Sequence, residues 1–179
     1  DRLVVTKVER NLVLELGGKP ALQVLEEMFI NLPTSDHDLM SKGFFLGRVI
    51  SEYQDDYEMG DFLIRNVMSV DNERGAVVVN DYFQVGQTVQ FQVRDEASAS
   101  SELRQLLEKN EPSEVKGGLV FTCNGRGTRL FAEPDHDAGV IKETVGEIPL
   151  AGFFAQGEIG PVGGENHMHG YTASVVLFE

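Results

Sequence analysis

The sequence predicts an α+β domain, with a few helices packed on one face of a largely antiparallel sheet. Residues 1–94 contain mostly short apolar or alternating segments typical of strands, whereas residues 95–179 combine helical and strand-like segments. Strands followed by helices, without regular βαβ alternation, favour the α+β class over α/β. The 179 residues are close to the usual size of one domain, so the whole chain is predicted to be a single domain.

The first part is predicted to hold several strands and one helix. Residues 3–16 are expected to form two short strands. Apolar residues at helical spacing predict a helix over 20–31, which Pro33 ends, and residues 34–42 are expected to be a polar loop. Further strands are predicted from apolar runs and from the alternation of apolar and polar residues. They are expected at residues 43–50, 61–70, 76–79 and 88–93.

The second part is predicted to begin with a helix over residues 95–110. We expect three of its leucines to face inward: Leu103, Leu106 and Leu107. An apolar run at 117–127 predicts a buried strand that ends in a glycine turn. The elements expected after it are a helix over 138–145, capped by Asp135 or Asp137 and closed by Gly146, and two last strands, at 148–159 and 169–179.

The charge of the chain excludes several kinds of partner. Its formal net charge is −14, and no cluster of lysine and arginine offsets the acidic residues. An acidic surface repels nucleic-acid phosphates and anionic lipid headgroups, so we expect neither nucleic acid nor a membrane as partner.

The single cysteine cannot form an internal disulfide, which favours a reducing, intracellular location: cytoplasmic, or plastid if the protein is from a plant.

The segment "CNGRG" follows the buried strand at 117–123. Its residues are Cys123, Asn124, Gly125, Arg126 and Gly127. Successive N–H groups in a glycine turn can hold an anion, and an arginine adds a contact to a carboxylate or phosphate. The segment matches neither a P-loop nor a dinucleotide fingerprint. A ligand-binding turn and a plain connecting turn both remain open.

A second glycine-rich segment, "GEIGP", contains Gly157, Glu158, Gly160 and Pro161. Glycine within a strand often marks a bulge or the close approach of another group. We expect a strand over 152–159, then a rigid bend and a flexible hinge at residues 163–164. Glu158 is interpreted either as a carboxylate that binds an amine or as a structural acceptor for loop N–H groups.

Two other features could carry chemistry. Cys123 could be a nucleophile or a ligandable thiol, but a lone cysteine near a strand end is more often a small buried hydrophobic residue. His167 and His169 could bind a metal with Glu158 or Glu165 as third ligand. Two histidines are more often polar lining. We therefore expect no catalytic residue, no metal and no cofactor.

Three segments together resemble the C-terminal domain of the FIST family (F-box and intracellular signal transduction proteins). They are "LVFTCNGRGTRLF", "IPLAGFFAQGEIGPVGG" and "HGYTASVVLF", and the opening "LELGGKPALQVLEEMF" is similar to the start of that domain. The resemblance extends from about residue 5 to residue 178. It implies one half of a two-part sensor, with an upstream FIST N-terminal half as partner.

The resemblance also implies a sensory module that binds a small ligand, with amino acids or their derivatives as proposed ligands. In bacteria such modules occur alone or joined to signalling domains, and in eukaryotes they can follow an F-box and recruit substrates to a ubiquitin ligase. The residues carried over by position are those of the two glycine segments. The family supplies no catalytic set to map, so the expected protein is not an enzyme.

Together these observations predict a small polar pocket between the two glycine turns, at neighbouring strand ends. Arg126 would face the carboxylate of a ligand and Glu158 its ammonium group, which suits an amino acid. The alternative is a protein-interaction module without a small ligand, as in substrate-recruiting F-box proteins. A third hypothesis is a cysteine hydrolase that uses Cys123.

Overall fold

The computed structural model describes residues 2–110 and 114–179. The chain divides into two compact units, Asp1–Arg94 and Asp95–Glu179, and the residue pattern changes at the same place. None of the helices in the described ranges is both long and apolar enough to cross a membrane.

The first unit is built from antiparallel strands and two helices. Its elements are β1 Leu3–Glu9, β2 Leu12–Leu16, β3 Lys19–Pro20, α1 Ala21–Asn31, α2 Thr34–Ser41, β4 Phe44–Val49, β5 Phe62–Asp71, β6 Ala76–Val79 and β7 Thr88–Val93. The strand order is β1-β7-β4-β5-β6-β2-β3, and β1 also pairs with β2. That extra pairing closes six of the strands into a barrel, which leaves few unpaired edges.

The core of the first unit consists of small and medium apolar side chains from alternate strand positions. Val5, Val13 and Leu46 are fully buried, and Leu25 of α1 and Met40 of α2 join them. Each helix therefore covers the barrel core with a narrow apolar stripe.

The second unit combines a three-stranded sheet, a hairpin and three helices. Its elements are α3 Glu96–Lys109, β8 Gly117–Cys123, α4 Gly127–Leu130, α5 His136–Val145, β9 Leu150–Ala155, β10 Glu158–Val162, β11 Glu165–His169 and β12 Ala173–Phe178. The sheet order is β12-β8-β9, with β12 antiparallel and β9 parallel to β8, while β10 and β11 form a separate hairpin. One face of this sheet is buried beneath α3 and α5. The apolar side chains that cover it are Leu103 and Leu107 of α3 and Val140 and Ile141 of α5.

The α+β prediction is confirmed, with mostly antiparallel sheets. The predicted helix over 20–31 is α1, and the predicted strands at 43–50, 61–70, 76–79 and 88–93 are β4 to β7. Leu103 and Leu107 face inward as expected, but Leu106 is 53% exposed, because α3 buries only a narrow stripe.

The loop predicted at residues 34–42 is wrong, since helix α2 occupies Thr34–Ser41. Pro33 precedes the first turn, where its fixed φ suits a helix start, and Asp36 lies in that turn. Burial of Met40 in the barrel core stabilises a segment that is otherwise polar. The polar composition concealed this tertiary contact.

The end of the chain also differs from the prediction. The expected strand over 152–159 is interrupted at residues 156–157, and β9 and β10 lie on either side of the break. The expected flexible hinge at Gly163 and Gly164 is the turn of the β10–β11 hairpin. Both glycines have positive φ, +60° and +86°, which a two-residue hairpin turn requires.

Candidate functional site

The two glycine segments lie side by side at the ends of parallel strands. β8 ends at Cys123 and β9 ends at Ala155, and these two residues are paired in the sheet. The N–H of Asn124 donates to the carbonyl oxygen of Ala155 (2.9 Å), which ties the first glycine turn to the exit of β9. Parallel pairing therefore brings "CNGRG" and "GEIGP" to the same end of the sheet, where β8 and β9 both terminate.

Arg126 lies inside the second unit and is 4% exposed. Its Nε and Nη2 donate to the two carboxylate oxygens of Asp137, at 2.8 and 2.7 Å, and its Nη1 donates to the carbonyl oxygen of Tyr171 (3.2 Å). The expectation that Arg126 faces a ligand carboxylate is thus corrected. Helix α5 places the protein's own carboxylate in that position, and the ion pair satisfies the buried guanidinium.

Asp137 and His136, in the first turn of α5, complete this buried cluster. Burial alone would raise the pKa of Asp137, but the hydrogen bonds and charge of Arg126, with a contribution from His136, hold it below its ordinary value. The His136 ring stacks on Phe131, with 3.5 Å between ring centroids, and hydrogen-bonds Asp137 and Ser100 (both 3.1 Å). Neither Asp135 nor Asp137 caps α5 through its side chain, contrary to the prediction.

Glu158 is the first residue of β10, and its carboxylate contacts the start of the last strand. Its Oε2 accepts hydrogen bonds from the N–H and the hydroxyl of Thr172, at 2.9 and 2.5 Å. No lysine, arginine or histidine within the described ranges forms an ion pair with Glu158. Glu158 is half-buried.

Cys123 lies against this carboxylate. Its Sγ accepts a hydrogen bond from the N–H of Gly125 (3.3 Å). Burial, together with the hydrogen bond and negative charge of Glu158, raises the pKa of the Cys123 thiol. The thiol is therefore protonated at neutral pH. Cys123 of the first glycine segment and Glu158 of the second are thus in direct interaction.

Tyr171 explains why the first turn needs a glycine. A Cβ added to Gly125 would lie 2.7 Å from the Tyr171 ring, so a larger residue there would force that ring to shift. Tyr171 itself has a positive φ of 64°, which holds its carbonyl toward Arg126. Sequence reasoning missed Tyr171, Thr172 and Asp137, because the contacts that matter come from residues distant in the chain.

The remaining predicted residues lie around this centre. Asn124 is exposed at the tip of the turn, and an added Cβ at Gly127 would lie 3.2 Å from the Phe154 ring. Gly160 and Pro161 belong to the hairpin, where His169 Nε2 donates to the carbonyl oxygen of Gly160 (3.0 Å). A Cβ added to Gly157 would meet no other atom within 4 Å.

Among the described residues, no three His, Cys, Asp or Glu side chains are grouped as a metal site would require.

The comparisons with known proteins identify the family to which the chain is similar. Residues 21–161 match the family model described as the FIST C domain. Uncharacterized proteins of Mycobacterium tuberculosis and Mycobacterium bovis are each 46% identical to the chain over 178 residues, which cover 98% of this chain and 46% of each relative. The chain thus spans about half the length of these relatives.

A shorter match connects the chain to a plant protein. An F-box/LRR-repeat protein of Arabidopsis thaliana is 39% identical over 61 residues, which cover 34% of this chain and 12% of that protein. No solved structure matches the chain. The family match covers more than half of the chain, and together with the mycobacterial relatives it shows that the chain belongs to the FIST C domain family of signal-transduction domains.

Proposed function

We propose that this chain is an intracellular sensory domain that binds a small amine, with an amino acid as the preferred class of ligand. One observation carries the proposal: the Glu158 carboxylate lies at the shared end of two parallel strands, beside Cys123, without a cationic partner among the described side chains. A charge in that position attracts an ammonium group. The net charge of −14 favours cations further.

The ligand's carboxylate requires a partner other than Arg126, which is already bound to Asp137. We assign this part to Asn124, whose exposed side chain stands at the tip of the adjacent turn and carries two N–H donors. The proposed site therefore has an anionic side at Glu158 and a neutral, hydrogen-bonding side at Asn124. Such a site favours an amino acid over a phosphate or a dicarboxylate.

Isothermal titration calorimetry with three matched sets of compounds tests this proposal. The sets are free amino acids, their N-acetyl derivatives, which lack the ammonium group, and the corresponding amines, which lack the carboxylate. We expect heat with the first set, weaker binding with the third and none with the second. Glu158→Gln should weaken binding about tenfold or more, the effect of losing a charge-assisted contact.

Two further variants make the test specific. Asn124→Ala should weaken binding of amino acids and leave binding of amines unchanged. Glu108→Gln, a change at an exposed acid of α3, is the matched control for charge and should leave both affinities as they are. The absence of heat with every compound, or equal affinity for Glu158→Gln and the original chain, would exclude the amine site.

We propose a binding role and not a catalytic one for Cys123. The nucleophilic form of cysteine is the thiolate, and catalytic cysteines lie in surroundings that lower the pKa. Here burial and the Glu158 carboxylate raise the pKa of Cys123. This arrangement supports a sensor over a cysteine hydrolase. We therefore propose that the chain is not an enzyme.

A second candidate function is a protein-interaction module, favoured by the sheet face opposite α3 and α5. We define the open sheet face as Phe121, Phe153, Val176 and Phe178, and the last three are 64%, 44% and 50% exposed. Phe121 and Phe153 stack edge-to-face, with centroids 5.1 Å apart. Contiguous exposed apolar side chains mark interaction surfaces. We propose that the occupant is the FIST N-terminal half, consistent with relatives about twice the length of this chain.

A binding experiment in trans tests this second candidate. The FIST N-terminal half is mixed with this chain, and complex formation is followed by analytical ultracentrifugation. Phe153→Ser should abolish the complex, whereas Phe154→Ser, a neighbouring exposed phenylalanine that packs toward Gly127, should not. Complex formation that is unaffected by Phe153→Ser would argue against the open sheet face, as would the absence of any complex. A signalling or ubiquitin-ligase partner would then be sought elsewhere on the surface.

A further inference from the structure

A chain of hydrogen bonds joins helices α3 and α5 in the second unit, outside the two glycine segments. The Oγ of Ser100, on α3, lies 3.1 Å from Nε2 of His136, and Nδ1 of His136 lies 3.1 Å from Oδ1 of Asp137. His136 and Asp137 are the first two residues of α5. A hydroxyl, an imidazole and a carboxylate linked in this order are the groups that activate a nucleophilic serine.

The charge of Asp137 fixes the direction of these hydrogen bonds. Although burial raises it, Arg126 holds the pKa of Asp137 below its ordinary value, so the side chain is an anionic carboxylate that only accepts hydrogen bonds. The ring proton of a neutral His136 must therefore lie on Nδ1, and Nε2 carries a lone pair. The donor at Nε2 is then the hydroxyl of Ser100. His136 is thus oriented as a base toward Ser100, and Asp137 is its positioning residue.

The imidazole of His136 is fixed before any reagent arrives. One face stacks on the ring of Phe131, with 3.5 Å between ring centroids, and Phe131 is only 2% exposed. The two helices that carry the partners pack through Leu103 and Ile141. Because the ring needs no rearrangement, the base already lies within proton-transfer distance of the hydroxyl.

Ser100 is accessible to a small reagent from solvent. Ser100 and His136 are partly exposed, whereas Asp137 is buried. Ala97, almost one turn earlier on α3, and Ser101, the next residue, are both small and exposed. The nucleophile therefore lies at the outer end of the contact between the helices, and the positioning carboxylate lies inside.

The charges around Ser100 favour an uncharged reagent. Glu96, one turn earlier on α3, and Asp135, just before α5, are exposed acids. Arg104, one turn later on α3, is engaged by Glu143 of α5 (2.9 Å). With a net charge of −14, the chain repels phosphorylated donors such as acyl phosphates and nucleotides. An uncharged activated ester approaches without this repulsion.

We propose that Ser100 is a covalent modification site that accepts an acyl group from an uncharged, activated carboxylic ester, with His136 as the base. The Oγ of Ser100 attacks the acyl carbon and forms a new C–O bond, while the hydroxyl proton passes to Nε2 of His136. The bond from the acyl carbon to the leaving oxygen breaks, and His136 gives the proton to that oxygen. The products are an acylated serine and an alcohol.

Arg126 limits this chemistry to a single transfer. Its guanidinium donates to both oxygens of Asp137, at 2.8 and 2.7 Å, and neutralises much of the negative charge. The imidazolium that forms on His136 is therefore stabilised less than it would be beside an unpaired carboxylate. We expect one slow acylation of each chain, without repeated turnover, which is consistent with a protein that is not an enzyme.

Reaction with p-nitrophenyl acetate, an uncharged activated ester, tests this inference. We expect acetylation of Ser100 in the folded chain, located by tandem mass spectrometry, and we expect the acetyl group to persist there. Acetyl phosphate, an anionic acyl donor, should acetylate Ser100 much more slowly. A fluorophosphonate probe, which reacts with serines activated by a base, should label the same residue. In that reaction the Oγ–P bond forms, the P–F bond breaks, fluoride leaves and the proton passes to His136.

Three variants assign the fluorophosphonate labelling to this group of residues. Ser100→Ala should lose the label, whereas Ser101→Ala, at the exposed neighbouring serine, should keep it. His136→Gln should slow labelling about a hundredfold or more, the usual contribution of a general base. Circular dichroism of His136→Gln distinguishes the loss of a base from the loss of the fold.

The tautomer of His136 can be measured in the unaltered chain, independently of how any variant folds. In ¹⁵N NMR spectra at mildly alkaline pH, its ring proton should lie on Nδ1. The proposal is overturned if the proton lies on Nε2, if neither reagent modifies Ser100, or if folded His136→Gln is labelled as fast as the original chain. Equal acetylation by acetyl phosphate would contradict the selectivity for uncharged esters. These results are independent of binding at Glu158.

Discussion

Arg126 and Asp137 form a buried ion pair that fastens the glycine turn after β8 to the first turn of α5. Two hydrogen bonds of 2.8 and 2.7 Å join the side chains, which are only 5% and 7% exposed. Arg126, which the sequence predicts as a ligand contact, is thus buried and stabilises the turn instead. The exposed residue of that turn is Asn124.

The first prediction concerns the stability given by this pair. Asp137→Ala should lower the free energy of unfolding by about 3–5 kcal/mol, because it leaves a buried guanidinium without its counter-charge. Urea unfolding followed by circular dichroism measures the change. The control is Arg129→Ala, at an exposed arginine of α4, which should change stability by about 0.5 kcal/mol or less. Equal stability of Asp137→Ala and the original chain would contradict a structural role.

The stability of the chain should decrease at acid pH, because Asp137 then becomes protonated. The pKa of Asp137 is lower in the folded than in the unfolded chain, so its stabilisation is fully present above the unfolded value of about 3.9 and is lost as pH falls through the folded value. Urea midpoints measured from pH 6 to pH 3 should therefore fall toward acid. In Asp137→Asn this part of the dependence should vanish. A variant curve parallel to the original would show that other carboxyls cause the loss.

The third prediction concerns the thiol. Burial, then the hydrogen bond and charge of Glu158, raise the pKa of Cys123, so alkylation by iodoacetamide should be slow at pH 7 and rise only at alkaline pH. Glu158→Gln should shift the rate profile to lower pH. Because Cys123 is the single cysteine, mass spectrometry reads one site. A profile with a midpoint at or below that of a free thiol, about 8.5, would refute this picture.

The fourth prediction concerns a glycine in β9. A Cβ added to Gly152 would overlap the carbonyl oxygen of Val120 in the neighbouring strand, so Gly152→Ala must separate β8 from β9. We expect a loss of about 1–3 kcal/mol or more, typical of overpacking. Gly157→Ala is the matched control, because open space surrounds that position and its φ is not positive. Thermal unfolding of both variants makes the comparison, and equal melting temperatures would be inconsistent with the close strand approach.

The sequence was sufficient for elements with strong local patterns. The alternation of apolar and polar residues at 88–93 located β7, and the leucine spacing after Pro20 located α1. It was not sufficient for α2, whose polar residues carry little pattern and whose helix depends on burial of Met40. It also missed the hairpin at 158–169, because glycine and proline within β10 suggested an end to the strand.

The candidate site was predictable in its location but not in its contacts. Both glycine segments follow buried strands, and parallel pairing places them together. The sequence cannot show that Asp137, eleven positions after Arg126, takes the guanidinium. Nor can it show that Thr172 reaches Glu158. These pairs arise from the way helix α5 and strand β12 return to the end of β8.

The position of β8 in its sheet has a consequence for biosynthesis. This strand is central, yet its neighbours are residues 150–155 and 173–178, which the ribosome makes later. During translation, β8 therefore emerges with both edges unpaired and with an apolar sequence. The second unit completes its sheet only when Phe178 has been added, so its nascent chain exposes an aggregation-prone strand until synthesis reaches that residue.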